Sequence, residues 1–159
     1  MKIVVEGIDG TGKTYLAHEL SNMYLYDYIH SVLPHTKQEL IQDMAKDYVI
    51  FDRAWISEIV YAKAFGREPL ITLSEINKFN LYRKSTIYVL LYSPIPPNFH
   101  KVEPEILGKY DEINKEYLYI MDRLIESKVF IYNPLKFKYP QEMAWKVFKD
   151  TYFWANRKA

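Results

Sequence analysis

The stretch G-I-D-G-T-G-K-T, from Gly7 to Thr14, decides how this sequence folds. It matches the pattern G-x-x-x-x-G-K-[ST] of a phosphate-binding loop, or P-loop. The apolar run Ile3–Val5 comes directly before the loop, and a helical pattern begins directly after it. A strand, a loop and a helix in this order are the context that the motif requires. We therefore predict a nucleotide-phosphate site formed by Gly7, Gly10, Thr11, Gly12, Lys13 and Thr14.

Each part of the loop has a physical reason. The glycines permit backbone angles and a close approach to a ligand that a Cβ atom would block. The backbone N–H groups then converge on phosphate oxygens, helped by the positive end of the following helix. Lys13 supplies a charge to the β- and γ-phosphates, and the Thr14 hydroxyl is a ligand for Mg²⁺. We expect ATP with Mg²⁺ at this loop.

The composition favours a single domain and excludes several classes of protein. The chain has 159 residues, which is enough for one domain, 1–159, with its own core. It has 21 Lys and Arg against 20 Asp and Glu, and a net charge of +1 argues against general binding to nucleic acids or membranes. There is no Cys, which excludes disulfides and thiol catalysis.

The same composition bears on location. No apolar run approaches the ~20 residues that span a bilayer, and Met1 and Lys2 lead straight into a strand, without room for a signal peptide. We expect a cytoplasmic protein. The abundance of Tyr, Lys and Ile, whose codons are AT-rich, indicates an AT-rich genome such as that of a phage, in which case the location is the host cytoplasm.

Apolar runs alternate with helical patterns along the chain, which predicts an α/β fold with a parallel sheet. The predicted strands are Lys2–Glu6, Tyr28–Val32, Tyr48–Phe51, Thr86–Tyr92 and Lys128–Tyr132. The first predicted helices are Lys13–Tyr26, one capped by Thr36 that ends near Lys46, and one that follows Arg53 and ends near Phe65. The later ones are a helix capped by Ser74 that ends near Arg83, Tyr110–Ser127, and one from Pro140 with Met143, Val147 and Trp154 buried.

A segment with four prolines lies between the fourth strand and the helix at Tyr110. This segment, 93–110, is long enough to be functional, and we predict a mobile lid that orders over the phosphates. It contains no Arg, so Lys101 and Lys109 are the cations that it can offer.

Asp52 and Arg53 form the second informative element. They come at the carboxyl end of a buried strand, where open α/β sheets bind their ligands. Asp52 can hold Mg²⁺, directly or through water, and Arg53 can grip a phosphate with its planar guanidinium. The alternative is an ion pair at the end of the strand that has no ligand.

Four further residues are considered for the acceptor side of the site. The carboxylate of Asp9 is not needed for cradling phosphates, so it is free to bind a hydroxyl or a cation. Ser57 and Tyr61 are four residues apart and share one face of the predicted helix after Arg53. Trp55 is either a core aromatic or a surface on which a base stacks.

The chain resembles the thymidylate kinase and deoxynucleoside kinase branch of the P-loop kinases. The resemblance rests on E-G-I-D-G-T-G-K-T, Glu6–Thr14, and on D-R-A-W-I-S-E-I-V-Y, Asp52–Tyr61. It implies five parallel strands in the order 2-3-1-4-5, with helices on both faces. It also implies that Asp9 contacts the sugar of the acceptor, that Arg53 binds its phosphate, and that Ser57 and Tyr61 line its base pocket.

The sequence departs from that family at one informative point. Nucleoside kinases place a general-base Glu beside a Pro after the second strand, because a sugar hydroxyl must lose a proton. Here Leu33 precedes Pro34. The missing base favours a phosphate acceptor, and we expect transfer from ATP to a nucleoside monophosphate such as thymidylate, with Lys13, Asp52, Arg53 and Asp9 in catalysis.

Two alternatives stay open. The pair Ser57-Glu58 also fits a deoxynucleoside kinase. The absence of Arg from the loop and the lid favours a protein of another class, which binds nucleotides, catalyses weakly or not at all, and regulates a partner. Stable binding to a nucleic acid is not expected, and whether the chain forms a homodimer stays open.

Overall fold

A five-stranded sheet forms the centre of the molecule. The computed structural model describes residues 1–31, 36–82, 85–97 and 102–157. All neighbouring strands are parallel, and their order is β2-β3-β1-β4-β5, as predicted. The strands are β1 (Lys2–Gly7), β2 (Asp27–His30), β3 (Val49–Asp52), β4 (Thr86–Leu91) and β5 (Lys128–Tyr132).

Helices connect the strands and cover both faces of the sheet. They are α1 (Lys13–Tyr24), α2 (Lys37–Met44), α3 (Trp55–Ala64), α4 (Leu73–Tyr82), α5 (Pro104–Leu107), α6 (Tyr110–Met121) and α7 (Pro140–Arg157), with a 3₁₀ turn at Pro134–Lys136. Among the described residues, no helix is both long enough and apolar enough to cross a bilayer.

Alternate residues of the central strands supply two separate cores. Ile3 and Val5 point to one face, where Leu16 and Leu20 of α1 pack beside Val147 of α7. Because β1 lies between two strands and under helices on both sides, its side chains are buried along its whole length, as is typical of a parallel sheet.

The opposite face holds the larger of the two cores. Val4 and Phe51 pack there against Ile56 of α3, Tyr117 of α6 and Met44 of α2. The predicted burial on α7 is confirmed for Met143 and Val147, whereas Trp154 is only half-buried at the edge of the first core.

The helix caps follow local chemistry. The Thr36 hydroxyl accepts the N–H of Glu39 at 3.1 Å, which is the predicted cap. The prediction for α4 is wrong: Thr72, not Ser74, caps this helix, since its hydroxyl accepts the N–H of Glu75 at 3.2 Å. Both caps pair a Thr with a Glu three residues later, so the spacing that identifies Thr36 also applies to Thr72.

The helix predicted for Tyr110–Ser127 ends at Met121, because a side chain of α4 forms hydrogen bonds with the backbone of the residues that follow. The side-chain amide of Asn77, on α4, donates to the carbonyl of Arg123 at 3.0 Å and accepts the N–H of Ile125 at 3.0 Å. These two hydrogen bonds hold residues 122–127 in a turn that leads into β5.

Gly7, the last residue of β1, lies where no other residue fits well. Its φ is 145°, and a Cβ atom would lie 2.5 Å from the carbonyl oxygen of Leu91 on β4. The turn into the P-loop therefore depends on a glycine that touches the neighbouring strand.

We expect Gly7→Ala to lower the free energy of unfolding by about 2 kcal/mol or more, because it combines backbone strain with a clash against main chain. The matched control is Gly66→Ala. Gly66 also has a positive φ, 68°, but a Cβ atom there would meet nothing within 4 Å. Its cost should be about 1 kcal/mol, from the backbone alone. Equal losses in urea unfolding would contradict the clash.

Candidate functional site

Two side chains of the P-loop form hydrogen bonds with a carbonyl group of the loop itself. The Thr11 hydroxyl donates to the carbonyl oxygen of Ile8 at 2.8 Å, and Nζ of Lys13 donates to the same oxygen at 3.1 Å. Gly12 precedes α1 with a φ of 91°. Lys13 is only 7% exposed. The ammonium group is thus held within the loop before any ligand arrives.

The charge of Lys13 is costly in this position. Burial, together with the nearby positive charge of Arg53, lowers the pKa of Lys13 from 10.5 to about 8. The carboxylates of Asp9, 3.7 Å from Nζ, and of Asp52 oppose that decrease. An anion bound beside Nζ would favour the charged form, so the site is poised to gain from phosphate.

Asp52 is the centre of a hydrogen-bond cluster. Its Oδ2 accepts the hydroxyl of Thr14 at 2.7 Å and that of Tyr28 at 2.8 Å, and lies 2.9 Å from Nδ1 of His30. Burial raises the pKa of Asp52, but these three hydrogen bonds and the charge of Lys13 outweigh burial and leave the pKa below its ordinary value. The carboxylate is therefore ionised.

The other oxygen of Asp52, Oδ1, indicates that this carboxylate binds a ligand. Oδ1 is buried and has no hydrogen-bond partner among the described residues. Buried carboxylate oxygens are normally satisfied, so a water molecule or a cation is needed here. With the Thr14 hydroxyl, it forms a pair of hard oxygen donors, which suits Mg²⁺. Within the described ranges, no group of three or more His, Cys, Asp or Glu could hold a metal ion, so phosphate oxygens and water would complete such a shell.

Arg53 lies beside this cluster in an unusual backbone conformation. Its φ is 66°, and its N–H donates to the carbonyl of Val5 at 2.9 Å. The guanidinium donates to Asp9 and, at 3.4 Å, to the hydroxyl of Tyr61, whose ring centre lies 4.9 Å from Cζ. The structure thus brings together Asp9, Arg53 and Tyr61, three of the residues that the sequence analysis proposes for the acceptor.

One cleft of about 450 Å³ joins these groups. It lies at the carboxyl ends of β1, β2 and β3, and its lining consists of Asp9, Gly10, Gly12, Lys13, Thr14, Tyr15, His30, Asp52 and Arg53. The P-loop and the Asp52–Arg53 element therefore belong to one site. His30, whose side chain is 50% exposed, was not predicted in it. A lone His after a short strand carries no motif, and only the pairing of β2 with β3 places it beside Asp52.

A second cavity, of about 290 Å³, adjoins the P-loop on the other side. It is mainly apolar, and Gly12 and Tyr15 belong to the linings of both cavities. The remaining lining residues are Pro134, Phe137, Lys138, Pro140 and Met143, from the chain between β5 and α7 and from α7 itself. This cavity is not predictable from the sequence, because its residues carry no motif of their own.

Ser57 and Trp55 have contacts other than the cleft. Ser57 is 4% exposed; its hydroxyl donates to the carboxylate of Glu6 and lies 2.7 Å from the hydroxyl of Tyr117. Trp55 is buried and donates from Nε1 to the hydroxyl of Tyr88 at 2.9 Å, which supports the interpretation as a core aromatic.

Glu58, the neighbour of Ser57, also points away from the cleft. Its carboxylate accepts the guanidinium of Arg67 through both oxygens, at 2.5 and 2.9 Å, and the N–H of Leu70 at 3.0 Å. In this structure Glu58 therefore anchors the turn between α3 and α4.

The ends of the 93–110 segment are packed against α6. Tyr110 donates from its hydroxyl to the carbonyl of Ser93 at 2.7 Å, and Asn114 donates to the same carbonyl at 2.9 Å. Lys109 lies 3.6 Å from the carboxylate of Glu112 rather than beside the P-loop. Lys101, Pro34 and Arg83 lie outside the described residues. The mobile lid stays a prediction.

Solved structures share this fold. The YorR protein of Bacillus subtilis, in complex with phosphorylated GDP, is similar with a TM-score of 0.79 and 21% sequence identity, over 99% of this chain and 97% of its own. Deoxyadenosine kinase from M. mycoides with bound dATP has a TM-score of 0.59 and 14% identity, over 95% of this chain and 98% of its own. With dCMP and dCDP bound, the same enzyme has a TM-score of 0.58 and 13% identity, over 95% and 97%.

No protein-family model matches the sequence, and no curated protein sequence matches it. At identities near 20% and below, the similarity of these structures shows the fold alone. The chain has the fold of the P-loop kinases.

The buried ammonium of Lys13 leads to a prediction about stability and pH. Between pH 8 and 10.5 the unfolded chain keeps the Lys13 proton and the folded chain has lost it, so stability should rise with pH in this window. Below pH 8 both states are charged and the full cost of burial remains. Lys13→Met should therefore stabilise the ligand-free chain at pH 7, by on the order of 3 kcal/mol at most.

Urea unfolding at pH 7 and pH 9.5 measures this effect, and the gain from Lys13→Met should shrink at the higher pH. Lys149→Met, at an exposed position on α7, is the control and should change stability little at either pH. A gain of the same size at both pH values would mean that the charge is not the cause.

Proposed function

We propose that this chain is a kinase that transfers the γ-phosphoryl group of ATP to a nucleoside monophosphate, with thymidylate as the first candidate acceptor. The observation that carries the proposal is the convergence of Lys13, Thr14, Asp52 and Arg53 on one cleft, with the unpartnered oxygen of Asp52 beside them. Phosphoryl transfer requires positioned cations and little covalent chemistry, and this cleft offers such groups.

The donor nucleotide is proposed to occupy both of the cavities that meet at Gly12. Its phosphates fit the P-loop cleft, and its base fits the 290 Å³ cavity, where Phe137, Met143 and two prolines offer flat apolar surface. Because Gly12 and Tyr15 line both cavities, one nucleotide can occupy both at once. The ammonium of Lys13 would exchange the Ile8 carbonyl and Asp9 for phosphate oxygens.

Thr14 and Asp52 are the proposed holders of Mg²⁺. When bound, this ion neutralises charge on the β- and γ-phosphates. The protein's own part is to hold the Thr14 hydroxyl beside Asp52, 2.7 Å from Oδ2, which leaves Oδ1 for the ion, and to keep Asp52 ionised through the hydroxyl groups of Thr14 and Tyr28.

The acceptor phosphate is assigned to Arg53. Its guanidinium already pairs with one carboxylate, that of Asp9, so it is oriented to bind an anion. An arriving phosphate would share or replace Asp9, which frees that carboxylate for a hydroxyl of the acceptor sugar. Tyr61, whose ring packs on Arg53, is proposed to line the acceptor pocket, with Ser57 behind it against Glu6 and not in contact with the acceptor. The 93–110 segment is proposed to close over the bound phosphates as the lid of a single domain.

Structural neighbours support nucleotide substrates. YorR was solved with phosphorylated GDP, and deoxyadenosine kinase with dATP and with dCMP and dCDP. These ligands are those of the neighbours, and the shared fold makes the same class of ligand reasonable for this chain. They do not single out thymidylate among the monophosphates.

One observation favours a second candidate, a deoxynucleoside kinase. His30 lies in the cleft, and its Nδ1 is 2.9 Å from the carboxylate of Asp52. A His oriented in this way by a carboxylate can accept a proton through its other nitrogen, and a nucleoside hydroxyl must lose one. His30 could thus take the part of the Glu that the sequence lacks beside Pro34.

A panel of acceptors tests the function. With ATP and Mg²⁺, we expect the wild-type chain to phosphorylate at least one of the four deoxynucleoside monophosphates, and we expect Lys13→Ala to lower kcat about 10³-fold. Deoxynucleosides are assayed in parallel. Activity on nucleosides alone would support the second candidate, and binding of ATP without transfer to any acceptor would support the nucleotide-binding regulator.

The donor cavity has its own test. We expect Phe137→Ala to raise the KM for ATP about tenfold, with a much smaller change in the acceptor KM, because a base loses an aromatic surface. Leu135→Ala is the control, since Leu135 belongs to the same loop, is exposed, and does not line the cavity. Equal effects of the two variants would place the base elsewhere.

A further inference from the structure

We infer that Glu6, Ser57 and Tyr117 form a buried clamp that positions the guanidinium of Arg53 for the acceptor phosphate. These three residues, called the Glu6 clamp below, would be positioning residues that do not touch the substrate. The inference rests on the proposed function and deepens it, because it explains how the acceptor side of the cleft is held.

The Glu6 carboxylate caps helix α3 from another element. One of its oxygens accepts the N–H of Ala54 at 3.0 Å and that of Ser57 at 3.3 Å, and the other accepts the Ser57 hydroxyl. Ala54, the N-cap residue, has no side chain that could cap the helix itself. The first turn of α3 is therefore fastened to the end of β1.

Helix α6 completes the clamp. The hydroxyl of Tyr117 lies 2.7 Å from that of Ser57, and Tyr117 is fully buried. Glu6 is also fully buried, and Ser57 is 4% exposed. Three elements, β1, α3 and α6, thus meet in one hydrogen-bonded group that water does not reach.

Arg53 lies between two attachments to the same strand. The backbone N–H of Arg53 donates to the carbonyl of Val5. The backbone N–H of the next residue, Ala54, donates to the side chain of Glu6. The φ of Arg53, 66°, is disfavoured for a residue with a Cβ atom, so such a backbone persists only where its surroundings determine it. The clamp supplies one of the two attachments.

Charge gives a second link between Glu6 and Arg53. Burial raises the pKa of Glu6 above its ordinary value, and its hydrogen bond from Ser57 and the charge of Arg53 oppose this shift only in part. A local cap at position 54 would hold the helix at lower cost than a buried carboxylate. The carboxylate at position 6 instead places the start of the P-loop and the turn at Arg53 in fixed relation.

The test removes single hydroxyl groups, which leaves the cores filled. The variants are Tyr117→Phe and Ser57→Ala. The matched control is Tyr24→Phe, since the Tyr24 hydroxyl lies 2.6 Å from that of Thr151, on the opposite face of the sheet. Arg53→Ala serves as the reference for complete loss of the guanidinium.

Two readouts separate positioning from stability. With ATP and thymidylate, Tyr117→Phe and Ser57→Ala should raise the KM for thymidylate about three- to tenfold, in the direction of Arg53→Ala, with less than about a twofold change in the KM for ATP. By nuclear magnetic resonance, the Nη2 protons of Arg53, which donate to Asp9 and Tyr61, should exchange with solvent faster in both variants. Tyr24→Phe should change neither, even where it lowers the midpoint of urea unfolding.

The inference is overturned if both clamp variants behave like Tyr24→Phe in Arg53 exchange. It is also overturned if they raise the two KM values equally. If the wild-type chain phosphorylates no acceptor at all, the proposed function fails, and the exchange measurement still decides whether the clamp holds Arg53.

Discussion

The parallel pairing of β1 with β3 is the constraint on which the site depends. The register places Val5 beside Asp52, and the carbonyl of Val5 accepts the N–H of Arg53 directly after it. The P-loop that follows β1 and the acidic and basic pair that ends β3 therefore leave the sheet at the same edge. The pairing of β1 with β4 sets the close approach of Gly7 to Leu91, so the first residue of the loop is held against the neighbouring strand.

The two cations of the cleft, Lys13 and Arg53, have partners in the ligand-free protein that a bound phosphate would improve on. Lys13 donates to a backbone carbonyl, and Arg53 is matched by one short carboxylate, Asp9. Each cation has a hydrogen-bond partner, but neither is surrounded by as many oxygen atoms as a phosphate would provide. Groups arranged in this way need little reorganisation when the charge of a ligand arrives, and this preorganisation is what makes electrostatic stabilisation effective.

The sequence predicts much of this architecture because its strongest signals are local. A few neighbouring residues are enough to identify each of these features: the P-loop, the strand ending at Asp52 and the Thr36 cap. What it misses depends on contacts between distant parts of the chain. Asn77 ends α6 from another helix, His30 enters the site only through strand pairing, and Phe137 belongs to a cavity without a motif. Ser57 illustrates the limit: its helix face was predictable, but its contact with Glu6 was not.

The cluster at Asp52 makes the edge of the sheet a partner in ligand binding. Strand β2 has only four residues, it pairs on one side, and Tyr28 and His30 attach it to Asp52, while the ring of His18 stacks on Tyr28 at 3.8 Å. The proposed cation, if bound at Asp52, would draw on the charge of this carboxylate and weaken both attachments. By reciprocity, whatever orders β2 would alter the affinity for that cation, so the edge of the sheet and the cation would form one linked equilibrium.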